Sequence, residues 1–184
     1  DEKRMEWDRP LRDYYPELMM YDRYATERVT LRDALCHRSG LPRHDRVWLY
    51  AGLSRKELMN RLRYLQPSHG FREVFQYNNI VYAAAGVAVE KVSGMKWEDF
   101  VRTNIFKPLG MNSSSLSIDE LKKTKNHSLG YKVDSKSPKT GVLAMPYHPV
   151  NTTGPSSCIN SNVEDMGRWL MLHINRGLVG GKRL

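Results

Sequence analysis

The chain has 184 residues, of which 40% are hydrophobic, 27% charged and 10% aromatic, a composition typical of one globular domain. No run of about 18 apolar residues occurs, so the sequence contains no candidate membrane-spanning helix. The net charge of +9 is spread over scattered basic residues, and without a zinc-finger, RNA-binding or phosphate-loop motif no nucleic-acid partner is expected.

Two short helices are predicted in the first third of the chain. Thr30 is expected to cap the first, over "LRDALCHRSG", which Gly40 ends. The second begins at "SRKELMNRLRYL", where Ser54 is followed three residues later by Glu57, the spacing of a capping box.

The segment "FQYNNIVYAAAG", residues 75–86, begins with polar and aromatic residues and then becomes small and apolar. From Ile80 the apolar residues recur at helical spacing until Gly94, which predicts a core helix. A shorter helix carrying Trp97 is predicted to follow and to break at Pro108.

Residues 112–160 are rich in Ser, Asn, Thr, Pro and Gly, with short candidate strands in "LGYKV" and "GVLAMPY". A last helix is predicted in "SNVEDMGRWLMLHINRG", with Ser161 and Glu164 as its capping box. Its predicted inward stripe consists of Val163, Met166, Trp169, Leu170 and Ile174. The predicted fold class is therefore mainly α with a small irregular β portion.

The two cysteines make neither a disulfide framework nor a metal site. Cys36 lies in an apolar helical stretch, which predicts a buried, unreactive thiol. The six histidines are dispersed, without an HExxH pattern or a paired cysteine, so we expect no metal and no cofactor.

Four segments carry a family resemblance in a fixed order. They are "WDRPLRDYYPE", "VTLRDALCHRSGLPRHD", "FQYNNIVYAAAGVAVEKVSGMKWEDFVRTNIFKPLGM" and "GPSSCINSNVEDMGRWLMLHINRG". Together they resemble the serine beta-lactamase and penicillin-binding-protein superfamily, particularly its class C-like esterase and peptidase branch. The resemblance implies that residues 1–184 form a single partial domain, the helical lobe of the α/β serine beta-lactamase-like fold.

The resemblance also implies acyl transfer by a serine, through a helical Ser-x-x-Lys, a Tyr-x-Asn and a late strand with Lys-Thr-Gly or His-x-Gly. Tyr77 and Asn79 match the second motif. Tyr77 would act as the base that activates the serine, helped by nearby ammonium groups, and Asn79 would offer its amide to the substrate carbonyl. In an extended loop these two side chains would share the cleft while Asn78 points away. The alternatives are a core or capping Tyr77 and a helix-capping Asn79.

Two further segments have the letters of the other motifs but the wrong context. In "SGMK", Ser93–Lys96, Gly94 is expected to end the helix, and the segment follows Tyr77 instead of preceding it. In "PKTG", Lys139–Gly141 is expected to form a polar hairpin turn. The nucleophile helix is therefore expected before residue 1 and the third motif after residue 184, which would leave the isolated chain inactive.

Two serines are weaker candidates for substrate contact, Ser39 in "HRSGLPRH" and Ser156 in "NTTGPSS", and both turns are expected to be mainly architectural. The favoured hypothesis is a fragment of a serine hydrolase whose small-molecule or peptide substrate is an ester, amide, peptide or beta-lactam. The alternative is a non-catalytic, basic docking module that binds an anionic polymer. Self-association through an apolar face left exposed by the missing sheet is a further expectation, and the compartment is left open.

Overall fold

A computed structural model of the protein describes residues 4–136, 139, 141–148 and 150–184. Within these residues the chain is mainly helical with two small antiparallel hairpins, which confirms the predicted fold class. The α-helices are α1 (Arg23–Arg28), α2 (Leu31–Leu35), α3 (Arg55–Arg61), α4 (Asn79–Ser93), α5 (Trp97–Val101), α6 (Lys107–Leu109), α7 (Ile118–Leu121), α8 (Gly154–Ser157) and α9 (Val163–Ile174). The strands are β1 (Gly130–Val133), β2 (Val142–Met145), β3 (Leu178–Val179) and β4 (Lys182–Arg183).

Helix α4 is the centre of the fold and confirms the predicted core helix. It packs against α2, α3, α5 and α8, and its first ten residues are almost all buried. Small side chains allow these close approaches: a Cβ added at Gly86 would lie 2.3 Å from the ring of Pro155 in α8. Gly94 ends α4 in the left-handed conformation, with φ 73°.

After α5 the chain continues through a π-helical turn, Arg102–Phe106, into α6. The predicted break at Pro108 is wrong by two residues, because Pro108 occupies the first turn of α6 and the helix ends at Gly110, with φ 68°. The ring of proline fixes its φ at about −65°, which is a helical value, so Pro108 does not end the helix at its own position.

Capping residues define three other helix starts. The hydroxyl of Thr30 accepts from the Asp33 N–H at the start of α2, and that of Ser54 accepts from the Glu57 N–H at the start of α3, as predicted. At α9 the predicted cap is wrong by one residue, because the side chain of Asn162 accepts the capping bond. The Ser161 hydroxyl is instead 2.8 Å from the hydroxyl of Ser114.

The predicted strands pair as expected, with Gly130 opposite Met145 and Val133 opposite Val142. The Asp134 N–H donates to the Gly141 carbonyl and closes the hairpin. The "PKTG" segment lies in this connection, in agreement with a turn, although its Pro138 and Thr140 lie outside the described residues.

Two apolar clusters form the core. The larger one joins α4 to the N-terminal third of the chain and to α3, and its fully buried members include Leu11, Leu58, Leu62 and Ile80. The smaller one is formed by α5, the π-helical turn and α6 together with the Met111–Leu116 loop and Cys158, and α9 packs on it. No helix in the described part of the chain is both long and apolar enough to cross a bilayer.

One prediction about burial is correct only in part, and another is wrong. Trp169 of the predicted inward stripe of α9 does pack on the core, together with Asp165 and Leu172. Val163, Leu170 and Ile174 of that stripe are instead 86%, 58% and 71% exposed. Cys36 follows the last turn of the short helix α2 and is exposed, so the predicted buried thiol is wrong for this residue.

Candidate active site

Tyr77 lies in the extended segment that leads into α4, with its side chain partly open to solvent. Its ring is 4.5 Å from the imidazole of His37, centroid to centroid, and the guanidinium of Arg43 lies 5.0 Å from its centroid. The residue is 39% exposed, and no described residue hydrogen-bonds to its hydroxyl. The phenol is thus held by its ring and free at its oxygen, which does not fit a core or capping tyrosine.

Asn78 carries the structural role at this helix start. Its side-chain oxygen accepts from the Val81 N–H at 2.9 Å, and its amide nitrogen donates to the Pro42 carbonyl at 2.6 Å. The side chain is 1% exposed. The alternative of Asn79 as the helix cap is therefore wrong, since Asn78 is the cap and also ties α4 to the 37–43 loop.

Asn79 is the first residue of α4 and has the opposite environment. It is only 7% exposed, yet its amide has no hydrogen-bond partner among the described residues. Neither atom of that amide is sealed from solvent. Because buried amides in proteins are normally hydrogen-bonded, an amide left open in this way points to a ligand.

His37 is a site residue that sequence reasoning placed only in a rim turn. Its Nδ1 accepts from the Asn78 N–H at 3.2 Å, and its carbonyl accepts from the Gln76 N–H at 2.7 Å. Its ring stacks on that of Tyr82 at 5.4 Å. Burial lowers the pKa of His37 below its ordinary value.

Asp33 anchors the loop that carries His37. The carboxylate is fully buried and accepts hydrogen bonds from Arg72, from Arg38 and from the N–H and hydroxyl of Thr30. Burial alone would raise the pKa of Asp33, but the hydrogen bonds from Arg72, Thr30 and Arg38 outweigh it and lower the pKa. The charged form is therefore favoured, and the His37 loop is fixed at its base.

Ser39, a predicted substrate contact, is buried and bonded within its own turn. Ser39 is buried, and its hydroxyl accepts from the Leu41 N–H at 3.3 Å. The next residue, Gly40, has φ 82°, and a Cβ there would lie 2.4 Å from the His69 carbonyl oxygen. These contacts favour the architectural role, and substrate contact at Ser39 stays a prediction.

Ser156 lies in α8, where its hydroxyl donates to the Thr153 carbonyl at 2.8 Å. Within the described residues it makes no hydrogen bond to Tyr77 or Asn79. Its role in substrate binding is likewise untested.

The "SGMK" segment does not form a nucleophile motif. Ser93 is the last residue of α4, Gly94 takes a left-handed conformation, and α5 begins only at Trp97. The Ser93 hydroxyl accepts from the Met95 N–H at 3.2 Å. Ser93 and Lys96 thus do not share a helical turn, as predicted from Gly94.

An apolar groove runs along one face of α4. Its volume is about 480 Å³, and α4 lines it with Tyr82, Gly86 and Val89, which share one helix face. Leu31 and Trp97 line its other sides. Over residues 4–136, 139, 141–148 and 150–184, no group of three His, Cys, Asp or Glu side chains could hold a metal ion.

We compared the chain with family models, with curated proteins and with solved structures. The family model described as Beta-lactamase matches residues 1–184. An unguisins hydrolase from Aspergillus campestris is 29% identical over 181 residues, which cover 94% of this chain and 33% of that protein. The octameric penicillin-binding protein homologue from Pyrococcus abyssi has a TM-score of 0.75 at 25% identity, over 96% of this chain and 41% of that one.

A D-stereospecific amidohydrolase from Streptomyces sp. has a TM-score of 0.76 at 19% identity, over 93% of this chain and 54% of that one. At this identity the likeness concerns the fold alone. The chain spans about a third of the length of the Aspergillus relative and roughly half or less of the two solved chains.

Proposed function

The chain belongs to the Beta-lactamase family of serine hydrolases, and on this premise we propose that it is the Tyr-x-Asn-bearing helical lobe of an acyl-transferring enzyme. The observation that carries the proposal is the pairing of a free Tyr77 hydroxyl with the unpartnered amide of Asn79. Two polar groups two residues apart in the chain, neither of them bonded to the described part of the protein, fit a site that binds and activates a substrate.

In this mechanism a serine of the full-length protein attacks the carbonyl carbon of the substrate. Tyr77 takes the serine proton, together with a lysine, and later returns it to the leaving group. Asn79 donates its amide N–H to the substrate carbonyl or orients the lysine, and backbone amides hold the oxyanion. Water then attacks the acyl-enzyme ester and releases the acid.

The serine and lysine of this scheme are proposed to lie outside residues 1–184. Support comes from "SGMK", whose Ser93 and Lys96 are separated by the end of α4. The apolar groove offers a place for the helix that would bring them. Tyr82, Ala85 and Val89 of α4 line it, and the small side chain of Ala85 would let a helix approach α4 there. Residues 1–184 would then be a partial domain completed by neighbouring sequence.

The substrate is proposed to be an ester, amide, peptide or beta-lactam, because each presents a carbonyl carbon that a serine can attack and whose acyl group it can accept. No metal or cofactor takes part in this scheme. The basic docking module remains the competing hypothesis, motivated by the net charge of +9. An Asn79 amide and a Tyr77 hydroxyl that both lack a hydrogen-bond partner among the described residues favour the enzyme, since a charge-driven docking surface does not need either group.

A fluorophosphonate probe and a fluorescent penicillin test the proposal, applied in parallel to the full-length protein and to residues 1–184. We expect covalent labelling of a serine in the full-length protein and none in the shorter chain. A full-length protein that neither probe labels would remove the enzyme hypothesis. Steep salt-dependent binding of that unlabelled protein to an anionic polymer would support the docking module instead.

A further inference from the structure

One residue from a distant part of the chain, His37, contacts Tyr77 and both of its neighbours in sequence. The two N–H groups that flank it in sequence, those of Gln76 and Asn78, both donate to His37, one to its carbonyl and one to its Nδ1. The imidazole also lies against the Tyr77 ring, 4.5 Å away and tilted by 40°. His37 therefore holds Tyr77 at three points, through the backbone on each side and through the ring.

The conformation of His37 is itself fixed by its surroundings. Its φ is 56°, in the left-handed region that residues with a side chain rarely occupy. The ring is stacked on Tyr82 at an interplanar angle of 27°, and the edge of Phe75 meets it at 5.6 Å. A residue kept in an unfavourable backbone conformation by several contacts is typical of a functional constraint.

We propose that His37 is a positioning residue, which as a neutral imidazole orients the Tyr77 phenol for its role in the reaction. The inference rests on the proposed function only for the part that Tyr77 plays; the contacts of His37 do not depend on it. Nδ1 must keep its lone pair to accept from Asn78, so the ring proton lies on Nε2. A second proton on Nδ1 would break the bond to the Asn78 N–H.

The three contacts of His37 with the Tyr77 segment, here called the clamp, are therefore sensitive to acid. Burial lowers the pKa of His37 below 6.5, so the ring is neutral at pH 7 and becomes charged only as the pH falls further. The titratable groups that face it are the phenols of Tyr77 and Tyr82. On its own loop, Arg38 and Arg43 are ion-paired with Asp33 and Asp45. Above this pKa the clamp is intact, and below it the clamp opens.

Nuclear magnetic resonance of the 184-residue chain tests the clamp without any catalytic assay. We expect the imidazole ¹⁵N shifts at pH 7 to show a neutral ring with its proton on Nε2. On acidification the Asn78 amide and the Tyr77 ring signals should shift with the same midpoint as the His37 ring. A proton on Nδ1 at pH 7, or unrelated midpoints, would overturn the proposal.

Two variants separate positioning from general stability. In His37→Gln the acid-induced shifts of Asn78 and Tyr77 should disappear, whereas in the control His127→Gln, a half-buried histidine of another loop, they should persist. Persistence of the Tyr77 shifts in His37→Gln would contradict the inference. If His37→Gln does not fold, the titration of the unmodified chain decides alone.

In the full-length enzyme, His37→Gln should lower kcat by roughly tenfold to a hundredfold with little change in KM, the usual result of a misplaced catalytic group. Loss of activity in Tyr77→Phe but not in His37→Gln would refute positioning and leave the proposed function intact. Full activity in both variants would refute the proposed function. The NMR titration would still test whether His37 holds Tyr77 in place.

Discussion

Asn78 and Asn79 are adjacent and chemically identical, yet one amide is fully bonded to the protein and the other is bonded to nothing in the described chain. The Asn78 amide caps α4 and binds the Pro42 carbonyl. Asn79, one residue further, is only 7% exposed, and neither atom of its amide is fully sealed from solvent. The start of α4 thus places a residue that stabilises the fold next to one whose amide makes no bond to the described part of the protein.

Substituting each asparagine by alanine should separate stability from function. Asn78→Ala removes the cap and leaves the partly buried Pro42 carbonyl without its donor, so we expect a loss of about 2 kcal/mol in the free energy of unfolding. Asn79→Ala removes no hydrogen bond and should change it by less than about 0.5 kcal/mol. Urea denaturation of the chain measures both. Equal losses for the two variants would mean that Asn79 has a structural role.

The tyrosine pair at the same site gives a matched test of catalysis in the full-length protein. Tyr77→Phe keeps the ring contacts with His37 and Arg43 but removes the proposed base, so acylation should slow by roughly 10²–10⁴-fold. Tyr82→Phe also removes one hydroxyl next to His37 and should acylate at a nearly normal rate. Stopped-flow measurement with a chromogenic ester compares them. A normal rate in Tyr77→Phe would show that another group is the base.

Substituting alanine for two helical glycines should change stability in opposite directions, because only Gly86 of α4 is closely packed, against α8. In Gly86→Ala the new methyl group would meet the rigid Pro155 ring at 2.3 Å, and we expect a loss of about 1–3 kcal/mol in the free energy of unfolding. In Gly167→Ala of α9 nothing lies within 4 Å, so the higher helix propensity of alanine should add about 0.5–1 kcal/mol. Thermal unfolding of both variants is the measurement, and a stabilised Gly86→Ala would contradict the packing.

Sequence reasoning predicted helix starts and ends correctly where the residues that determine them are close in the chain. The cap at Thr30 and the capping box at Ser54 need only the residue three positions further on, and Gly94 ends α4 by its own backbone freedom. At α9 two neighbouring residues could cap equally well. The choice of Asn162 over Ser161 accompanies a contact between Ser161 and the distant Ser114, which no local pattern contains.

The candidate site was predictable only in part, for the same reason. The Tyr-x-Asn motif is local, so Tyr77 could be singled out from the letters alone. His37 is far from Tyr77 in sequence, and their contact depends on how the 37–43 loop folds over α4. The apolar stripe of α9 predicted an amphipathic helix, but periodicity does not reveal which apolar face is covered, and Val163 and Ile174 proved to be exposed.

The two cysteines should differ strongly in reactivity. Cys36 is exposed after α2, whereas Cys158 is buried in the smaller cluster beneath α9. Burial raises the pKa of the Cys158 thiol to about 12, which leaves almost no thiolate at pH 8. Because the thiolate is the reactive form, Ellman's reagent should modify one thiol per folded chain within minutes and the second only on unfolding in urea.

The variant Cys36→Ser shows which cysteine reacts fast and which reacts slowly. It should abolish the fast reaction and keep the slow one, whose rate then reports the opening of the cluster between α6 and α9. A Cys158→Ser chain should show the reverse pattern, with the fast phase unchanged. Rapid modification of both thiols in the folded chain would show that this cluster opens readily, and hence that α9 is only loosely attached to the rest of the protein.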